Sequence, residues 1–228
     1  MAGYILQQIR DQVRNTVELD STDIPDSVID LFVQEGFDRI VSDQPRWSFY
    51  ETNFSFTTVT GQRAYTFASI SSTLGDIDGV EHSSWLLLPI SHQLAQGQYA
   101  GSNVTGTPTN FSVWNNSLYL WPTPSAAITI SVYGYRNPTD WIAAGSGTQP
   151  DLPTVFHPLL VLWALSRVYM QQDDAQMGQL LRNMFNEQFR VIKSTATRLL
   201  IAEPSIVGGT RGSVFSMLPA RLRYPFDF

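Results

Sequence analysis

The sequence predicts an α+β protein, in which an α-helical bundle formed by N- and C-terminal helices carries an inserted antiparallel β domain and an extended C-terminal tail. Near both ends of the chain, apolar residues recur every three or four positions, as along one face of a helix. Through the middle, apolar and polar residues alternate, as along a half-buried strand. These patterns predict helices in residues 1–46, the β domain in 47–137, a linker in 138–150, a helix pair in 151–202 and a docking tail in 203–228.

Two amphipathic helices are predicted at the start of the chain. Apolar residues mark one stripe over Ile5–Val17 and a second over Val28–Val41. Pro25 suits the first turn of the second helix, and Pro45 ends it.

The β domain is predicted from strand and turn signals. Phe54–Thr58 and Ala64–Phe67 flank a turn at Gly61 and are predicted to pair as a hairpin. A second hairpin is expected at Asn115 and Asn116. Other predicted strands are Trp85–Ile90 and Ile128–Tyr135, and Gln96–Thr109 is expected to be loop.

The last helix pair differs from the first. Leu159–Tyr169 is apolar almost all round, which predicts a helix buried on most of its faces. Asp173 is the predicted N-cap of the next helix, which continues to Ile201 and ends before Pro204. At about 1.5 Å per residue, this helix would be roughly 42 Å long.

The tail in residues 203–228 has an unusual composition. Its glycines oppose a stable helix, but it is too apolar for a merely disordered terminus. Aromatic and arginine anchors in an extended segment are typical of interfaces that order on docking. The sequence therefore predicts a docking tail.

Composition limits the classes of protein to which the chain can belong. Only 15% of residues are charged, and the only lysine is Lys193. Much of the surface is therefore either covered by uncharged polar residues or buried against other copies or partners. The net charge of −6 argues against a general basic face for nucleic acid. The absence of cysteine excludes disulfides.

Targeting signals are also missing from the sequence. The first residues do not show the pattern of a secretory signal, and no apolar run approaches the roughly 20 residues of a membrane span. We therefore expect a soluble, cytoplasmically made protein.

Charge is unevenly distributed along the chain. Eight acidic residues and one base, Arg39, lie between Glu18 and Asp43. This stretch is either a solvated helix face or an acidic wall that faces a polyanion.

Motifs for catalysis, metal binding or cofactor binding are absent, so no catalytic residue, metal site or cofactor is predicted. The nearest approach to a metal cluster is the segment GDIDGVEH, with Asp76, Asp78, Glu81 and His82. It lacks the pattern of a calcium loop, and the polarity of a hairpin loop explains it more simply. A metal-dependent hydrolase remains a distant alternative.

Six tryptophans allow a second alternative, because aromatic planes stack on sugar rings. Core packing explains them as well. The six are Trp47, Trp85, Trp114, Trp121, Trp141 and Trp163. If they were exposed together, the chain would be a carbohydrate-binding tail or fibre module.

The order of these features resembles a family of phage proteins. Trp47 follows the second helix, and the middle of the chain contains FSFTTVTGQRAYTF and SLYLWPTPSAAITISVYGYR. The last helix pair reads DLPTVFHPLLVLWALSRVYMQQDDAQMGQLLRNMFNEQF. In order and spacing, residues from about 4 to 200 resemble the head-to-tail adaptor (connector) proteins of tailed bacteriophages.

The resemblance implies a structural protein without enzymatic activity. It implies a ring of about twelve subunits at the head-tail junction of the virion, bound under the portal protein. The helices would surround the channel through which double-stranded DNA passes without sequence-specific binding. The β domain would face the tail tube or nozzle protein, and the carboxyl-terminal segment would clasp the portal.

Three sets of residues are assigned to these surfaces as expectations. The expected portal-binding residues are Arg211, Phe215, Leu218, Arg221, Arg223, Tyr224, Phe226 and Phe228. The expected channel-lining acids are Asp20, Asp26, Asp30, Asp38, Asp173 and Asp174. The expected tail-facing residues of the β domain are Trp85, Trp114 and Trp121.

Overall fold

The computed structural model describes residues 3–44, 46–99 and 104–202. The predicted α+β class is confirmed in this part of the chain. The helices are α1 (Leu6–Val17), α2 (Asp26–Ser42), α3 (Phe67–Ile70), α4 (His92–Tyr99), α5 (His157–Gln171) and α6 (Ala175–Ala202). The strands are β1 (Glu51–Thr57), β2 (Ala64–Thr66), β3 (Leu74–His82), β4 (Trp85–Leu86), β5 (Leu88–Pro89), β6 (Thr105–Gly106), β7 (Asn110–Trp114), β8 (Ser117–Trp121), β9 (Thr123–Pro124) and β10 (Thr129–Arg136).

The helices from the two ends of the chain share one hydrophobic core, as predicted. α5 lies against both α1 and α2, and Phe185 and Phe189 of α6 also belong to this core. Six residues of α5 between Leu159 and Val168 are buried and apolar, which confirms a helix enclosed on most faces. Trp47 and Trp141, from outside the helices, complete the core.

A second core lies between two four-stranded sheets. One sheet has the strand order β1-β10-β3-β4 and the other β2-β8-β7-β5. Most neighbours are antiparallel, whereas β5 pairs with β7, and β6 with β9, in parallel. Residues from both large sheets, such as Val80, Val132 and Leu120, are fully buried in this core.

The predicted hairpin over residues 54–67 is wrong. β1 pairs with β10, and β2 pairs with β8, so the two segments belong to different sheets. Phe54 and Phe56 lie opposite Val132 and Ile130 of β10, both fully buried. Pairing with distant strands places these aromatic residues against a core that a local hairpin lacks.

Four smaller predictions also need correction. The segment of Asp76–His82 belongs to strand β3 rather than a hairpin loop, because Ile77 and Val80 are buried in the core. Trp85–Ile90 forms two short strands in different sheets. The expected loop after residue 96 begins with the last turn of α4 and includes β6.

The N-cap of α6 is the fourth correction. Asp174, rather than Asp173, accepts a hydrogen bond from the Met177 amide at 3.0 Å. Asp173 has a positive φ of 62° and lies in the turn before the cap. Asp174, the second of the two aspartates, is therefore the residue that caps the amino-terminal end of α6.

The second predicted hairpin is confirmed. Trp114 pairs with Ser117, and Asn115 and Asn116 between them have φ values of 48° and 51°. Positive φ at both central residues is the geometry of a type I′ turn, which asparagine tolerates well.

Candidate interaction surfaces

The six predicted channel-lining aspartates lie in two places on the helical part. Four lie within α2 or in the turn before it, and Asp173 and Asp174 lie between α5 and α6. Their surroundings differ, and so does the negative charge that each can present to a partner.

Two of these aspartates are ion-paired with α1. Arg10 donates to Asp30 at 2.6 and 2.8 Å and to Asp26 at 3.0 Å. Arg14 also pairs with Asp26, and the Arg14 hydrogen bond lowers the pKa of that carboxyl. Asp26 and Asp30 therefore belong to a largely neutralised cluster between α1 and α2.

Asp20 and Asp38 are exposed, and within the described residues neither forms an ion pair. Hydrogen bonds from the Thr22 hydroxyl and from the Thr22 and Asp23 amides lower the pKa of Asp20. Asp38 accepts from the Gln34 side chain at 2.8 Å. Of the four aspartates within α2 or before it, Asp20 and Asp38 are therefore the two that have no ion-pair partner among the described residues.

The three predicted tail-facing tryptophans do not form one surface. Trp85 is 79% exposed, Trp114 is 56% exposed and Trp121 is fully buried. Trp121 therefore contributes to the interior, because no part of its side chain reaches the surface of the single chain.

Trp121 belongs to an aromatic cluster centred on His92 of α4. The His92 ring stacks on Trp114 with 5.5 Å between ring centroids and 8° between planes. Ser112 Oγ accepts from Trp121 Nε1 at 2.9 Å and lies 3.2 Å from His92 Nδ1. The Arg63 guanidinium lies over Trp121 at 4.4 Å. Trp114 is thus the exposed edge of a cluster whose interior is Trp121.

The acidic residues of β3 have polar partners within the chain. Arg46 pairs with Asp76 at 2.7 Å and with Asp78 at 3.2 Å. Glu81 accepts from the Tyr133 hydroxyl at 2.6 Å, and His82 Nδ1 lies 3.1 Å from the Thr129 carbonyl oxygen. In the described ranges, no group of three or more His, Asp or Glu side chains is placed to hold a metal ion.

Sequence reasoning missed an apolar stripe on the outer face of α6. Met177, Leu180 and Met184 share the helical spacing of Phe185 and Phe189, but they are 38%, 53% and 40% exposed. Phe185 and Phe189, on another face of the helix, are buried. A helical wheel separates the two sets, so the signal was present in the spacing of these residues.

A second missed feature is an open groove beside α2. One wall is α2 from Ser27 to Ser42, and the other is the segment Pro138–Ala143. Apolar side chains, among them Leu31 and Ile142, alternate with the carboxylates that line it. No local sequence pattern predicts this groove, because its two walls are about 100 residues apart in the chain.

The predicted portal-binding residues, Arg211 to Phe228, lie outside the described residues. Among the helices that the structure describes, none is both long enough and apolar enough to span a lipid bilayer.

Comparison with known proteins identifies the family. No curated protein matches the chain. The family model described as SU10 adaptor protein matches residues 4–205, which include both helix pairs and the whole β region. The chain therefore belongs to the SU10 adaptor family of phage head-to-tail adaptor proteins.

Proposed function

We propose that the protein is a structural component of the phage virion, made in the host bacterial cytoplasm, that joins the portal to the tail as a ring. The family match over residues 4–205 carries this proposal. The family points to a structural rather than an enzymatic role, so we assign no reaction to the chain. The ring is a dodecamer that extends the DNA channel below the portal.

The low charge of the chain supports a ring. Only 15% of residues are charged, and exposed apolar side chains occur on α2, α6 and the β region. Contacts in a closed ring are heterologous, since each patch meets a different patch on the next copy. Such a ring buries two different surfaces of every subunit.

The net charge of −6 per chain supports an acidic channel wall. Like charge in the channel wall repels the DNA phosphates and lets the duplex pass without sequence-specific binding. Among the four predicted aspartates within or before α2, Asp20 is the best suited to this role, because Asp26 and Asp30 are paired with Arg10 and Asp38 lines the groove beside α2.

The portal contact is assigned to the tail in residues 203–228. Its arginines and aromatic residues are of the kinds that dominate binding energy at interfaces. The contact with the tail protein is assigned to the two exposed tryptophans of the β region, Trp85 and Trp114. Trp121 is excluded from this contact because it is buried.

The portal contact can be tested in the full-length chain. We expect the triple substitution Arg211→Ala, Arg221→Ala and Arg223→Ala to weaken portal binding by at least about tenfold, or about 1.4 kcal/mol. Removal of all residues after Glu203 should abolish binding while the far-ultraviolet circular dichroism spectrum stays helical. Arg39→Ala, which removes an exposed charge on α2, is the control. Unchanged binding by the triple variant and the truncated chain would contradict this assignment.

A carbohydrate-binding module is the second candidate function. The exposure of Trp85 and Trp114 favours it, although Trp47, Trp121 and Trp141 are buried in the two cores or beside them. Titration with glycans, followed by tryptophan fluorescence, separates the two candidates. A saturable change that is lost in Trp114→Ala would favour carbohydrate binding.

A further inference from the structure

The α6 helix has two apolar faces, and the described part of the chain covers only one of them. Phe185 and Phe189 are buried in the helical core, whereas Met177, Leu180 and Met184 form an outer stripe. The stripe follows the spacing i, i+3 and i+7, which is the pattern of a helix that docks into a groove. A helix that is apolar on both faces is normally buried on both.

The groove beside α2 is a concave surface on the same chain. α2 lines it from Ser27 to Ser42, a length of roughly 22 Å at about 1.5 Å per residue. The stripe from Met177 to Met184 spans roughly 10 Å, so two turns of a helix fit within the groove. Leu31, which lines the groove, is 58% exposed.

Polar groups on the two surfaces are also complementary. The groove is lined by Asp30, Asp38 and Asp140 and, among the described residues, by no basic side chain, although Asp30 is already paired with Arg10 of α1. Asp174 caps α6 next to Met177, but residues 175–186 contain no carboxylate, and the amide side chains of Gln176, Gln179 and Asn183 lie beside the stripe. These amides can donate to the carboxylates of the groove.

We propose that the outer stripe of α6 docks into the α2 groove of the next copy of this chain. This contact rests on the ring of the proposed function and names the surfaces that form it. Because the two surfaces differ, every copy offers one groove and one helix, and the contact repeats from subunit to subunit. The contact ends before Glu187, whose charge would be unfavourable beside the carboxylates of the groove.

Cysteine crosslinking tests the contact directly, since the chain has no cysteine of its own. Leu31→Cys in the groove and Leu180→Cys in the stripe are introduced together, and the assembled protein is treated with a short bismaleimide. The portal is added first if the protein alone is monomeric. We expect a ladder of covalent multimers in denaturing gels, because each chain carries both halves of the contact.

The single variants distinguish the possible geometries. A mixture of Leu31→Cys and Leu180→Cys chains should give covalent dimers only, and neither variant alone should crosslink. Dimers from Leu180→Cys alone would show a symmetric contact between two α6 helices and would overturn the proposal. Leu94→Cys is a matched control on α4, because Leu94 is 55% exposed and Leu180 is 53% exposed. Paired with Leu180→Cys, it should not crosslink.

Mass measurement on the same samples separates this inference from the proposed function. A ring without crosslinks between positions 31 and 180 would overturn the contact and leave the adaptor function standing. A chain that neither assembles nor binds the portal would contradict both.

Discussion

His157 connects the start of the chain to the start of α5 through both ring nitrogens. The Tyr4 amide donates to Nδ1 at 2.9 Å, and Nε2 donates to the Leu152 carbonyl oxygen at 3.0 Å. This arrangement requires the neutral ring, because a proton on Nδ1 would face the Tyr4 N–H. In the sequence, His157 directly precedes Pro158, and a proline in the first turn indicates a helix start. Its partner Tyr4 could not be predicted, since 153 positions separate the two residues.

Stability should therefore depend on the protonation of His157. Burial lowers the pKa of this group below its usual value of 6.5. Because the folded state then binds fewer protons than the unfolded state, its contribution is complete above about pH 6.5 and is lost as the pH falls through the pKa of the folded state. We expect the free energy of unfolding in urea to be lower at pH 5 than at pH 7.

A non-titrating variant isolates this effect. His157→Gln should cost about 1–3 kcal/mol at pH 7, because buried hydrogen-bonding groups lose their partners. It should also lose less stability than the natural chain between pH 7 and pH 5. An equal loss in both proteins would show that other groups cause the pH dependence.

Among the elements, those defined by neighbouring residues were predicted well. α1, α2, α5 and the Asn115–Asn116 hairpin each depend on local spacing, capping or turn chemistry. The hairpin predicted over residues 54–67 failed because its strands find partners elsewhere in the chain. β3 was taken for a loop because its acidic residues obscured the apolar pattern of Leu74, Ile77 and Val80.

The contact between β10 and β3 gives a prediction for one glycine. Gly134 is buried at a register shift between these strands, and a Cβ atom there would collide with the backbone carbonyl of Asp76. Because backbone cannot move aside as a flexible side chain can, we expect Gly134→Ala to destabilise the fold by about 1–3 kcal/mol.

Urea unfolding measures the cost, with the slope of the transition expected to stay constant. Gly147→Ala is the control, since nothing lies within 4 Å of its added Cβ. Equal stability of the two variants would mean that the strands can separate at this position without cost.

At the scale of the whole molecule, the sequence allowed the fold class and the family to be predicted, but not the surfaces. The sequence left open whether the acidic stretch between Glu18 and Asp43 is a solvated helix face or an acidic wall, and Arg10 and Arg14 of α1 neutralise part of it. The groove beside α2 depends on segments that are distant in sequence, so local patterns could not reveal it. Surface features of this kind depend on tertiary packing, which composition does not determine.

The central claim is that this chain forms a ring on the portal. Native mass spectrometry of the purified protein, alone and mixed with the portal ring of the same phage, tests it most directly. We expect one complex that contains a single portal ring and about twelve copies of the chain, which is the proposed dodecamer closed by heterologous contacts. A chain that remains monomeric and does not bind the portal would contradict the account.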